Sequence, residues 1–306
     1  IFDGEIVAWE DGRPLPSSTL TSRLTGGAQT LSAQQRTLAL FIAFDCLARS
    51  GEPLIQQPYH ERRRALEELR LEQISDGQIR IATRVQAEGA EAIDDSLDAL
   101  HSFHAMGLRS LGPVWSRPTI FGHGVPFNFP ASPDTGPGLT EAGKRLVTEC
   151  NRLRIMLDLS HLNEAGFWDV AGLSDAPLVA THSNAHAVTP TTRNLTDRQL
   201  AAIRDSGGMV GLNYATSFLR RDGRQSPEMG WEDVLAHMDH LLSILGEDHV
   251  GLGSDFDGAT VPQGIGDVVG QQALLEAFRA HGYGEALLRK IAHENWFRVL
   301  ERTWGA

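Results

Sequence analysis

Glu88, His161, His182 and Asp255 are residues of the kinds that hold metal ions and move protons. Each stands at or just after the end of a short apolar run, in EGAE, LDLSH, ATHSN and GLGSDFDG. One carboxylate and two imidazoles delivered from separate strand ends suit Zn2+ and leave a coordination position open for water. A metal held this way makes water a usable nucleophile near neutral pH. His161 and His182 are 21 residues apart, the length of one βα step, so on neighbouring parallel strands they would point into one mouth. Asp255, in a Gly-rich strand end, could ligate or act as a proton shuttle. Spacing alone leaves a second reading open, because a chain with 12 histidines contains such pairs by chance.

The other histidines carry less. His237 and Asp239 form a His-x-Asp inside a helical pattern, where residues two apart point to different faces, so this pair reads as solvated helix surface. His101, His104, His240 and His293 also fall in helical patterns and read as structural. His123 and His186 lie in loops near the expected mouth, where either could touch substrate.

The elements that must position these groups appear after about residue 100. Apolar runs at 108–114, 155–160, 177–182, 208–214 and 249–254 predict strands. They alternate with helical patterns at 93–106, 139–153, 163–171, 196–205, 231–245 and 284–302. Thr140 with Glu141, Asn163 with Glu164 and Thr196 with Asp197 each place a cap residue and an acid at a helix start. Repeated βα units imply a parallel sheet, doubly wound or closed as a barrel, with chemistry at the strand C-terminal ends. Residues 116–138 form a long Pro-, Gly- and aromatic-rich loop, the kind that often serves as a lid or binding loop.

Composition narrows the classes. The 306 residues suffice for one large α/β barrel or two ordinary domains, and 41% apolar residues can fill a core. Net charge is −12, and Lys144 and Lys290 are the two lysines present, which argues against nucleic acid as the main partner. No apolar stretch reaches the roughly 18 residues of a membrane span. The opening residues lack the basic start of a signal peptide, and the missing initiator Met suggests a trimmed chain. Cys46 and Cys150 are isolated, which points to a reducing, cytoplasmic compartment.

From about residue 86 onward the chain resembles the membrane (renal) dipeptidase family of zinc peptidases. The stretches that carry this are EGAEAIDDSL, GLRSLGPVWS, NRLRIMLDLSH, APLVATHSNAH, RNLTD, GLGSDFDGA and IAHENWFRVL, in order. The resemblance implies a (β/α)8 TIM-like barrel, a binuclear zinc site and hydrolysis of a small dipeptide. Residue by residue, Glu88 matches the carboxylate bridging two metals, and His161 and His182 the imidazoles on one of them. Asp255 matches the proton-transferring aspartate, and Arg193 the arginine that holds the substrate carboxylate. Trp115 stands where some members use a substrate-steadying histidine. The family's first strand carries a His-x-Asp for the other metal, and none precedes Glu88, so the expectation is a barrel incomplete at its N-terminal strands with one Zn2+ and weak activity. The implied partners are a dipeptide and at most a homodimer mate, with neither nucleic acid nor membrane.

Residues 1–85 have another texture, without βα alternation. FDGEIVAWEDGRPLP reads as a strand pair joined by an Asp-Gly turn, LALFIAFDCLARSGEPL as a strand and turn, and ERRRALEELR as a basic helix. This segment resembles a fragment of the adenylation domain of ATP-dependent DNA ligases. Glu5 falls at the nucleotide- or metal-binding glutamate and Phe44 at the adenine-stacking aromatic. That chemistry needs a lysine to carry AMP, and residues 1–85 contain none. Glu5 and Phe44 therefore read as a hairpin acid and a core aromatic, and a boundary is expected near residues 76–90. Two other readings remain open: a catalytically dead fusion that only binds metal, and a ligase fragment with an unrelated tail.

Overall fold

The computed structural model describes residues 85–256 and 258–305 and, before them, 2–10, 13–14, 38–46, 48–49, 52–53, 57, 59–69 and 79–81. The chain divides into two compact units, Ile1–Val85 with Ala105–Gly107, and Gln86–His104 with Leu108–Ala306.

In the first unit, β1 (Phe2–Glu10) pairs antiparallel with β2 (Arg13–Pro14) and with β3 (Leu38–Cys46). A short hairpin follows, β4 (Ala48–Arg49) with β5 (Glu52–Pro53), then helix α1 (Tyr59–Glu68) and β6 (Ile79–Ile81), which lies parallel to β3. The Asp11-Gly12 turn and the side chains of Glu5 and Phe44 lie outside the described residues.

The second unit, which begins at the second residue of β7 (Val85–Ala87), holds β8 (Leu108–Leu111), β9 (Met156–Leu157), β10 (Val179–Ala180), β11 (Met209–Leu212) and β12 (Val250–Leu252). They pair in chain order as two three-stranded sheets, β7-β8-β9 and β10-β11-β12. A parallel bridge between Asp158 and Val179 links the two. Among the described residues no pairing joins β7 to β12. Helices at 98–105, 141–153, 164–173, 197–205 and 232–245 alternate with the strands, giving the α/β order read from the apolar runs. The strands are shorter than those runs because the flanking apolar residues continue into the turns that carry the polar groups.

Helix starts follow the cap chemistry. Thr140 accepts from the Gly143 N–H, Asn163 from Gly166, and Thr196 closes a capping box with Gln199. A further helix, Gln271–His281, and a four-residue helix, Thr216–Leu219, had no clear signal in the sequence. All four residues of β11 are buried, as expected for a parallel strand covered on both faces. Gly211 and Gly253 let β11 and β12 approach β10: a Cβ at either position would sit 2.0 or 2.2 Å from the Thr181 carbonyl oxygen. That close approach brings the ends carrying His182 and Asp255 to one mouth.

At the opposite strand ends, the C-terminal helix (Asn295–Trp304) forms a floor. Val299 packs with Met156, Val179 and Met209. Trp296 donates to the Leu252 carbonyl at 3.0 Å, and Arg298 donates to Gly207, Gly208 and Asp248 carbonyls at 2.7–3.0 Å. No described helix is long and apolar enough to cross a membrane.

Candidate metal centre

Glu88 leaves the end of β7, and Gly89, at φ +89°, turns the chain there in a conformation L side chains rarely adopt. His161 follows β9 and His182 follows β10. The side chains converge: Glu88 Oε1 lies 2.7 Å from His161 Nε2 and 3.1 Å from His182 Nε2, and the two Nε2 atoms are 3.0 Å apart. Both imidazoles are buried and Glu88 is at an exposed rim. Among the described residues this is the group of three side chains with metal-ligating geometry.

The donor set fits a divalent cation. Arg193, which can only donate, approaches His161 Nε2 at 3.3 Å, so that nitrogen presents its lone pair. The proton of His161 then lies on Nδ1, 2.8 Å from Ser116 Oγ. Burial first, and the Arg193 charge second, hold the His161 imidazole down to about 4. A neutral imidazole lone pair and an ionised carboxylate oxygen thus face each other at 2.7 Å with no proton between them, a place for a positive ion. A tetrahedral face with bonds of about 2.0–2.1 Å has edges of roughly 3.3 Å, so a small outward movement of each ligand would seat zinc.

The trio opens on a cleft of about 400 Å³ lined by Glu88, His161, Asp255, Trp115, Phe127 and Phe218 among others. Phe127, more than half exposed, sits 5.6 Å from the Trp115 ring, 5.7 Å from Phe218 and 6.4 Å from His161. The loop 116–138 supplies that aromatic and Phe129, and is strapped in place by Val125 donating to the His161 carbonyl and Ala131 to Pro190.

Asp255 lies on the cleft outside the trio. Its φ of +72° is unusual for a non-glycine residue. Burial raises its carboxyl above the ordinary range, while Asn213 Nδ2 donates to its Oδ2 at 3.0 Å. A carboxyl with a raised pKa at a cleft is a candidate for proton transfer.

Arg193 is placed differently from a residue that lines the cleft. It is buried behind the histidines, donating to the carbonyls of Ser160 and His182 and to Ser183 Oγ, with its Nε unpartnered. Burial lowers it to about 10, so it stays charged. His123 and His186 bond the carbonyls of Gly138 and Ala131 and do not line the cleft. His237 is a correction. It is fully buried, not solvated: its Nδ1 accepts from the Ala185 N–H at 3.1 Å, and its Nε2 donates to the Leu219 carbonyl at 3.0 Å. Asp239, on the other face, is exposed and meets His281 and Tyr283. The periodicity showed two faces but not that the His face meets the loop after β10.

Several residues of the site were not singled out in the sequence. Asp158, Ser160 and Thr181 bond one another beneath His182, and Asn184 and Asn213 exchange side-chain and backbone bonds at 3.0 Å. Asp158, Ser160 and Asn184 stand within the very motifs that carry the histidines, which was the available signal.

Comparison with known proteins agrees. An ATP dependent DNA ligase domain profile matches residues 1–108, overlapping at 61–108 the match of the membrane dipeptidase profile. A Klebsiella pneumoniae relative, an uncharacterised protein in the pqqA 5′ region, is 50% identical over 73% of this chain and 83% of its own length. A crystal structure of dipeptidase AC, a metallo peptidase of family M19, is 74% identical with a TM-score of 0.73, over 76% of this chain and 68% of that one. A Rhodobacter sphaeroides metallo peptidase liganded with a phosphinate mimic of the dipeptide L-Ala-D-Ala is 75% identical with a TM-score of 0.72, over 75% of this chain and 65% of that one. With residues 61–304 matched, the chain belongs to the membrane dipeptidase family, peptidase family M19.

Proposed function

We propose that the chain is a zinc-dependent dipeptidase-type hydrolase on a (β/α)8 barrel framework whose opening βα units are replaced by the ligase-like residues 1–85. The observation that carries it is the convergence of Glu88, His161 and His182 on one point of a cleft that also holds Asp255. A zinc ion there would polarise the amide carbonyl and make water nucleophilic near neutral pH. Glu88, His161 and His182 would hold it. Asp255 would take the proton of the attacking water and pass it to the leaving amine. Trp115 would pack against the substrate. For Arg193 to hold the substrate carboxylate, its guanidinium must turn from the Ser160 and His182 carbonyls, its unpartnered Nε being the donor already available. The Rhodobacter relative's ligand supports a dipeptide with an L,D pair as substrate class.

Residues 1–87 carry no His-x-Asp, which favours a second reading, a metal-binding chain without turnover. Zinc stoichiometry measured with hydrolysis of L,L- and L,D-dipeptides separates the two. One zinc with turnover, lowered about 10²–10⁴-fold by Asp255→Asn, is the expected result. Zinc without hydrolysis supports the second reading.

A further inference from the structure

We propose that Thr181 is a positioning residue that fixes the proton of His182 on Nδ1, anchored by the buried carboxylate of Asp158, and so turns the Nε2 lone pair to the ligating point. The inference rests on the metal reading of the site. Asp158 is buried, and hydrogens converge on both its oxygens. Oδ1 accepts from the Ser160 N–H at 3.1 Å, the Ser160 hydroxyl at 2.6 Å and the Thr181 N–H at 2.9 Å. Oδ2 accepts from Gln86 Nε2 at 3.3 Å and from the Thr181 hydroxyl in a short contact.

A hydroxyl has one proton to give. Were the Thr181 proton turned to His182, its oxygen and Asp158 Oδ2 would meet lone pair to lone pair at their close contact. The proton therefore goes to Asp158, and Thr181 Oγ1 accepts from its other neighbour, His182 Nδ1, at 2.7 Å. Ser160, its own proton spent on Asp158, accepts from the His182 N–H at 3.0 Å. Backbone and ring of His182 are thus both held from one carboxylate. An outer partner of this kind sets which ring nitrogen binds a metal. The His161 ring is set by a different device, the donor-only Arg193 at its Nε2, although the same guanidinium also donates to the His182 carbonyl.

The test uses the full chain with Thr181→Val, which keeps the shape and loses the hydroxyl, and Thr181→Ser, which restores it. Zinc affinity is read by chelator competition, and the tautomer of His182 by ring ¹⁵N chemical shifts of the metal-free protein. The expected result is an Nδ1–H tautomer in wild type, a 10–100-fold loss of zinc affinity with a shifted tautomer in Thr181→Val, and recovery of both in Thr181→Ser. An Nε2–H tautomer in wild type overturns the proposal even if the Val variant does not fold. Equal zinc affinity in wild type and a folded Thr181→Val overturns it while leaving the metal reading intact. A wild type that takes up no zinc overturns both.

Discussion

The two ends of the strands of the second unit serve different purposes. At the floor, the carbonyls of Gly207, Gly208 and Asp248 each receive a donor from Arg298, and apolar side chains pack behind them. At the mouth, two imidazole nitrogens and a carboxylate oxygen crowd within 3.1 Å of one another, and Asp255 sits in a left-handed conformation. A floor whose carbonyls are satisfied can carry an unsatisfied mouth, because stability is a sum over the domain while chemistry needs groups whose demands only a ligand can meet.

That contrast can be broken from its mouth. His182→Ala should weaken zinc binding by more than the ~100-fold that loss of an outer partner costs, while leaving the thermal melt of the metal-free protein nearly unchanged. Acid should act through His237. Its buried imidazole is lowered to about 3, with burial the main cause. The unfolded chain takes up this proton near pH 6.5 and the folded one does not, so stability is full above pH 6.5 and falls as pH drops toward 3. Urea titrations at pH 7 and pH 4.5 should show a loss on the order of 2 kcal/mol that is reduced in His237→Gln.

At the floor, Arg298→Ala should cost about 2 kcal/mol of stability by the same titration at pH 7, with zinc affinity within twofold of wild type. Gly211→Ala would join the two ends. Its Cβ meets the Thr181 carbonyl, so it should lower stability by about 1–3 kcal/mol and zinc affinity with it. The smallest effect belongs to neither end: removing the exposed Arg279–Glu285 pair by Arg279→Ala should leave the urea midpoint indistinguishable from wild type.

Much of the mouth was legible because its residues end apolar runs and recur in motifs: Glu88, His161 and His182 meet as their strand-end positions require. The alternation of strands and helices and the caps at Thr140, Asn163 and Thr196 were legible for the same reason, being local. His237 was not, since its burial depends on the loop after β10 and on Thr216–Leu219, elements far from it in sequence. Nor was the support beneath His182, since Asp158 is 23 residues from Thr181 and nothing local says that they touch.

The sequence by itself determined the ligand types, the βα order, the family and the absence of a lysine in residues 1–85, because these are properties of residue identity and spacing. Tertiary structure alone decided which nitrogen of each histidine faces the cleft, that Arg193 stands behind the histidines, and that Asp255 is desolvated. Those depend on where donors and acceptors from separate strands come within 3 Å of one another, a distance the chain order does not encode.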